Sequence, residues 1–196
     1  VLVALSGGPD SLALAAATAF EAPRAGLRAG AAIIDHGLQG DSAAVAERAA
    51  DAARALGLEP VVVRRVDVGP VGGPEAAAVL LGHSRDDQAE TVLLGLARGS
   101  GTASLAGMAP VLGRYRRPLL GLRRAELAAA CTDQGLEPWH DPHNGDAAFA
   151  RVRVRSSILP LMESQLDAGV VDALARTAEI AREDSDALDH MVGEIA

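Results

Sequence analysis

The 196-residue sequence predicts an α/β protein, an open and mainly parallel sheet with helices on both faces, followed by a helical C-terminal segment. Strand-like and helix-like runs alternate over the first 120 residues, which implies parallel strands joined through helices. From about residue 147 onward only helical periodicity remains. The expected division is an α/β domain over 1–145 and a helical extension or small second domain over 146–196.

The elements follow in order. VLVAL (1–5) is an apolar run of buried-strand type, and 11–20 reads as a helix with Pro9 suited to its first turn. AAIID (31–35) is a second strand. Asp41 or Ser42 then caps a helix that runs through Leu56 and stops at Gly57. PVVVRRVDV (60–68) and VLLG (79–82) are the third and fourth strands. Ser84, with Asp87 three residues on, has the pattern of a capping box. Val92, Leu93 and Leu96 continue that helix at helical spacing, and Gly99 ends it. Short strands near 116–120 and a helix over 124–134 complete the layer, and 147–194 is helical.

One connection is too short. Only GPVGGPEAAA separates the third and fourth strands, whereas a parallel crossover normally takes a dozen or more residues, usually a helix. A segment near 75–79 is therefore expected to be absent from this chain. Val1 already lies inside a strand, so residues before it and after Ala196 are expected as well.

Hydrophobic residues make up 49% of the chain and aromatics 2%, so Ala, Val and Leu must build the core. No apolar run approaches the roughly 20 residues that span a bilayer, and no secretion signal is present, so no membrane partner is expected. The one cysteine, Cys131, excludes an internal disulfide, a CxxC pair and a cysteine-ligated iron–sulfur cluster within these residues. A cytoplasmic location follows. A net charge of −8 opposes uniform attraction to nucleic acid, but arginines gather in GRYRRPLLGLRR (113–124) and RVRVR (151–155).

The chemistry starts at SGGPDS (6–11), between the first strand and its helix. Gly7 and Gly8 let the backbone turn tightly and approach a ligand, and the helix start offers unpaired N–H groups to an anion such as pyrophosphate. The Gly-Lys-Ser/Thr ending of a P-loop is missing; Pro9, Asp10 and Ser11 stand there instead. Neutralising a polyphosphate then falls to Mg2+, with Asp10 as a carboxylate ligand. GHSRDDQAET (82–91) follows the fourth strand, which is expected to bring His83, Asp86, Asp87 and Glu90 toward the same crevice at the strand ends. Asp35 and His36 hold the corresponding place after the second strand.

These residues carry a resemblance. SGGPDS resembles the signature of the PP-loop ATP pyrophosphatases, whose fold is of the adenine-nucleotide alpha-hydrolase type. Together with IDHGLQ, GHSRDDQAETVLLGLARGSGTASLAGM, RPLLGLRRAEL, PWHDPHN and RVRVRSSILPLM it resembles the tRNA(Ile)-lysidine synthetase family over nearly all of 1–163. The resemblance implies an AMP-forming ligase whose partners are ATP, free L-lysine and tRNA(Ile) with a CAU anticodon, with a homodimer as an open alternative. The wobble cytidine is adenylylated at its C2 oxygen, and lysine then displaces AMP to give lysidine.

Implied roles follow residue by residue. Ser6, Gly7, Gly8, Pro9, Asp10 and Ser11 hold the phosphates of ATP, with Ile34, Gly82 and His83 beside the rest of the nucleotide. Asp10, Asp86, Asp87 and Glu90 form the catalytic set, Asp10 and Asp86 holding Mg2+ and Asp87 and Glu90 binding lysine. Arg114, Arg116, Arg117, Arg151, Arg153 and Arg155 meet tRNA phosphates. Ile33 and Gln39 stand where the family usually has His and Arg, and Val152 where it has Asn. An Arg-bearing helix of R-x-x-R-Y type that the family carries falls at the short connection. The competing readings are another PP-loop AMP-forming ligase or tRNA-modifying enzyme, and a non-catalytic adenine-nucleotide-binding module.

Overall fold

The computed structural model describes residues 1–35, 41–65, 77–99, 101–141 and 145–195. Six strands form one sheet: β1 (Leu2–Ala4), β2 (Gly30–Asp35), β3 (Val61–Arg65), β4 (Val79–Leu80), β5 (Val111–Leu112) and β6 (Tyr115–Arg116). Their order is β3-β2-β1-β4-β6-β5, parallel throughout except for the β5–β6 pair. The expected open, mainly parallel sheet is what forms. β1 and β4 are neighbours, with Leu2 opposite Val79, so the chain ends that follow them leave the sheet side by side.

The expected strand at 116–120 sits earlier, as a hairpin of β5 and β6. Gly113, at φ +55, makes the tight turn between them, a backbone conformation that suits glycine. Of the third strand, Val61–Arg65 is described; 66–68 and residues 69–76 of the short connection lie outside the described residues, as do His36 and Gln39.

The chain packs as two compact units. The first takes Val1–His83 and Val111–Asp141, and therefore the whole sheet. Helix α1 (Pro9–Arg24), helix α2 (Ser42–Ala55) and helix α5 (Arg124–Asp133) belong to it. Its core is built from small aliphatic residues, as 2% aromatics require: Val3, Leu5, Leu12, Leu14, Ala31, Ile33, Ala50 and Leu127 are all buried. Ile33 is 2% exposed, so the residue standing in the family's His position is a core side chain here.

The second unit takes Ser84–Pro110 and Pro142–Ala196. It holds α3 (Arg85–Ala97), α4 (Thr102–Leu105), α6 (Ala150–Arg153), a π-helical turn over Val154–Ile158, α7 (Leu159–Gln165) and α8 (Val170–Ile195). Compactness thus divides the chain differently from the 1–145/146–196 division read from sequence. The reason is α3, which packs on α8 around Ala89, Val154, Leu159 and Val171. Among the described residues no helix is long and apolar enough to cross a membrane.

Candidate active site

The first unit carries the anion loop. Gly7 adopts φ +85, and Gly8 caps α1 in an extended conformation with Pro9 in the first helical turn. Gly8 has no side chain with which to cap the first turn, so the positive end of the helix dipole faces the loop without a side-chain cap. Serines at either end stitch the loop together. Ser6 and Ser11 Oγ atoms lie 3.1 Å apart, the Ser6 N–H donates to Ser11 Oγ at 3.3 Å, and Ser11 Oγ donates to the Gly8 carbonyl at 3.0 Å.

Residues distant in sequence hold the loop from behind. Trp139 N–H donates to Gly7 O at 2.9 Å, and the Cys131 thiol donates to Pro9 O at 3.3 Å. Burial pushes the Cys131 thiol above its ordinary value, the nearby Asp10 charge adds to that, and a backbone hydrogen bond from Ala13 works the other way. Gly82 lies so close that a Cβ there would stand 3.1 Å from the Asp10 carbonyl and from Ser11 Cα. Glycine at 82 thus lets the chain after β4 pass directly against the start of α1. Arg124 Nε is 3.6 Å from Asp10 Oδ2. Ile34 is 53% exposed on β2, and Asp35 is buried with Arg65 Nε at 3.9 Å.

The second unit carries the acidic helix. Ser84 and Asp87 form the expected capping box: Asp87 Oδ2 accepts from the Ser84 N–H and from Ser84 Oγ, both at 2.8 Å. Asp87 Oδ1 accepts from Arg155 Nη2 at 3.2 Å. Glu90, 0% exposed, accepts from the same guanidinium through both oxygens, from Nε at 2.7 Å and Nη2 at 3.0 Å. Arg151 Nη1 adds a second cation 3.8 Å from Glu90, while its Nη2 donates to Thr91 Oγ1 at 3.2 Å. A buried carboxylate needs such partners, because taking it out of water unpaired is very costly. Asp86 is half-exposed on the same first turn.

The arginines expected to meet RNA fall into different settings. Arg114 is exposed in the β5–β6 turn, and Arg116 folds back on the Gly113 and Tyr115 carbonyls. Arg117 is half-buried. Arg153 is exposed, with Nη1 on the Ala147 and Ala148 carbonyls, whereas Arg155 is the inner partner of Asp87 and Glu90. Val152 is buried between these arginines. Sequence reading missed Arg124 and Trp139 as neighbours of the loop. Their only signal was membership in RPLLGLRRAEL and PWHDPHN.

An open, mainly parallel sheet with a glycine turn between β1 and α1 defines an α/β domain. Comparison makes the class specific: the PP-loop domain family matches residues 1–78 and 71–162, and the chain belongs to that family. Within it, this chain is similar to proteins named tRNA(Ile)-lysidine synthase. That of Leifsonia xyli is 60% identical over 99% of this chain and 64% of its own length. That of Thermobifida fusca is 55% identical over 96% and 64%, and that of Streptomyces coelicolor 55% over 96% and 60%. The chain thus spans less than two thirds of the length of these relatives. Among solved structures, the U34-tRNA thiolase NcsA from Methanococcus maripaludis, with its 4Fe–4S cluster, aligns at TM-score 0.71 and 17% identity, covering 93% of this chain and 72% of that one. That likeness is one of fold.

Proposed function

We propose that the protein is a tRNA(Ile)-lysidine synthetase, ligating L-lysine onto C2 of the wobble cytidine of tRNA(Ile) with a CAU anticodon. The observation that carries the reading is identity of 51–60% to lysidine synthases over 96–100% of this chain, anion loop, acidic helix and arginine segment included. The names of these relatives support this reading and not that of another PP-loop enzyme.

In this reading the cytidine C2 oxygen attacks the α-phosphorus of ATP and pyrophosphate leaves. The lysine ε-amine then attacks C2, the bond to oxygen breaks, and AMP departs. The backbone N–H groups of the glycine turn and the Ser6 and Ser11 hydroxyls receive the β- and γ-phosphates, with Ile34, Gly82 and His83 lining the nucleoside. Mg2+ binds through one or two carboxylates together with substrate phosphates and water. Asp10 and Asp86 would hold it, and bound there it would neutralise charge on the departing pyrophosphate.

Lysine is assigned to Asp87 and Glu90, where its ammonium would exchange with the Arg155 guanidinium and keep both buried carboxylates neutralised. Arg155 stands on the π-helical turn, a local widening often found at functional sites. Arg114, Arg116, Arg117, Arg151 and Arg153 are assigned to tRNA phosphates. A cytoplasmic location goes with those substrates. We further infer that a segment between β3 and β4 is absent. The family match breaks into two pieces that overlap at 71–78, and the Leifsonia alignment runs over 213 residues against the 196 of this chain.

The test is ATP–pyrophosphate exchange and AMP release by the full-length protein with a CAU-anticodon tRNA(Ile), with and without lysine. Exchange dependent on that tRNA, and AMP release that also needs lysine, are expected. AMP release indifferent to both would reject the reading.

A further inference from the structure

We infer that Arg124 is the cation of the anion loop, pairing with the phosphates of bound ATP as well as with Asp10. The inference rests on the loop's being the ATP phosphate site. It answers a charge problem that the sequence poses. All eighteen basic residues of the chain are arginine, and none lies within 6–11, so the place of a P-loop lysine is empty along the chain. A triphosphate remains negative after one divalent ion has bound. The structure supplies a guanidinium from elsewhere in the first unit: Arg124 Nε stands 3.6 Å from Asp10 Oδ2, with the two side chains 24% and 18% exposed. Asp10 is the second residue of α1, in the first turn of the helix that follows Gly8.

Two further features favour a role in binding over an incidental surface ion pair. Arg124 opens helix α5, following Arg123. Cations at a helix N-terminus oppose the macrodipole, so this position costs stability unless a negative partner offsets it. The helix is also fixed against the loop. Leu127 and Cys131 are buried in the first-unit core, the Cys131 thiol donates to Pro9 O, and the Arg123 N–H donates to Glu126 Oε2 at 2.6 Å to set the first turn. Arg124 is therefore presented to the loop by a helix anchored one and two turns further on.

The experiment measures equilibrium binding of α,β-methylene-ATP, a non-cleavable analogue, to the full-length protein at fixed Mg2+ by calorimetry. Arg124→Gln should weaken binding about 10- to 100-fold, the range for losing a hydrogen bond to a charged group, and Arg124→Lys should recover part of it. The same Gln substitution is repeated in an Asp10→Asn background, where the penalty should persist. Thermal melting checks folding, and Arg124→Met, which keeps the apolar stem, stands in if the Gln variant does not fold. Wild-type affinity in Arg124→Gln overturns the inference while leaving the ATP reading intact. So does a penalty that vanishes in the Asp10→Asn background, because Arg124 would then serve only to hold Asp10. A wild-type protein that does not bind the analogue overturns the ATP reading and this inference with it.

Discussion

Helices α1 and α3 each follow a strand of the same sheet in sequence, yet they begin under opposite conditions. α1 starts from Gly8, which offers no capping side chain. α3 starts from Ser84, whose hydroxyl and N–H both donate to Asp87 while Asp87 N–H meets Ser84 Oγ at 3.4 Å. The first helix starts without a side-chain cap, and the second closes its own end. An acid in a first turn therefore means different things in the two places. Asp10 stands at a helix start without a side-chain cap, with an arginine at 3.6 Å, whereas Asp87 is already occupied by its own helix cap and by Arg155.

The strongest way to break this contrast is at Asp10. Asp10→Ala should abolish adenylylation, leaving no measurable tRNA-dependent ATP–pyrophosphate exchange in a protein that still melts cooperatively. Full exchange in that variant would remove Asp10 from the metal and phosphate assignment. The corresponding change in the second unit should act first on folding. Glu90→Ala leaves Arg155 without its two-oxygen partner in a site that is 0% exposed at Glu90, and breaking a buried ion pair from one side costs about 3–5 kcal/mol. Denaturant titration measures that loss. Lysine KM in the folded fraction then separates the two roles of the acid: a raised KM supports the exchange of Arg155 for lysine, and an unchanged KM makes Glu90 purely structural.

The contrast also explains which parts of the site could be read in advance. A glycine turn between a strand and a helix is a local, backbone-level signal, so SGGPDS and the alternation around it were legible, as was the Ser84–Asp87 cap at three-residue spacing. The partners of Glu90 were not. Arg155 lies 65 positions away, and its alternation with Val152 and Val154 in RVRVR reads as a basic surface strip. Only packing turns it inward, with Val154 buried in the second core and the arginine following it onto the π-helical turn. Arg124 escaped notice for the same reason. Nothing in RPLLGLRRAEL says which of its arginines will face a loop more than a hundred residues earlier, and that choice is made by Leu127 and Cys131 docking in the core.

Cys131 gives the finest probe of the first helix start, because its thiol reports on the back of the loop. The folded state holds it protonated, donating to Pro9 O, with burial and the Asp10 charge both raising its pKa above the ordinary 9.0. The folded protein therefore binds this proton more tightly than the unfolded chain does. Its contribution to stability is complete below pH 9.0 and declines as the pH climbs from there toward the folded value. Cys131→Ala should start from a lower baseline, having lost the bond to Pro9, but should lose less stability between pH 8 and pH 10 than the wild type, since groups common to both proteins cancel in the comparison. Paired melting curves over that interval decide it. Equal slopes would mean that the thiol titrates as if exposed, and the anchoring of α5 beside the glycine loop would then rest on Leu127 in the core.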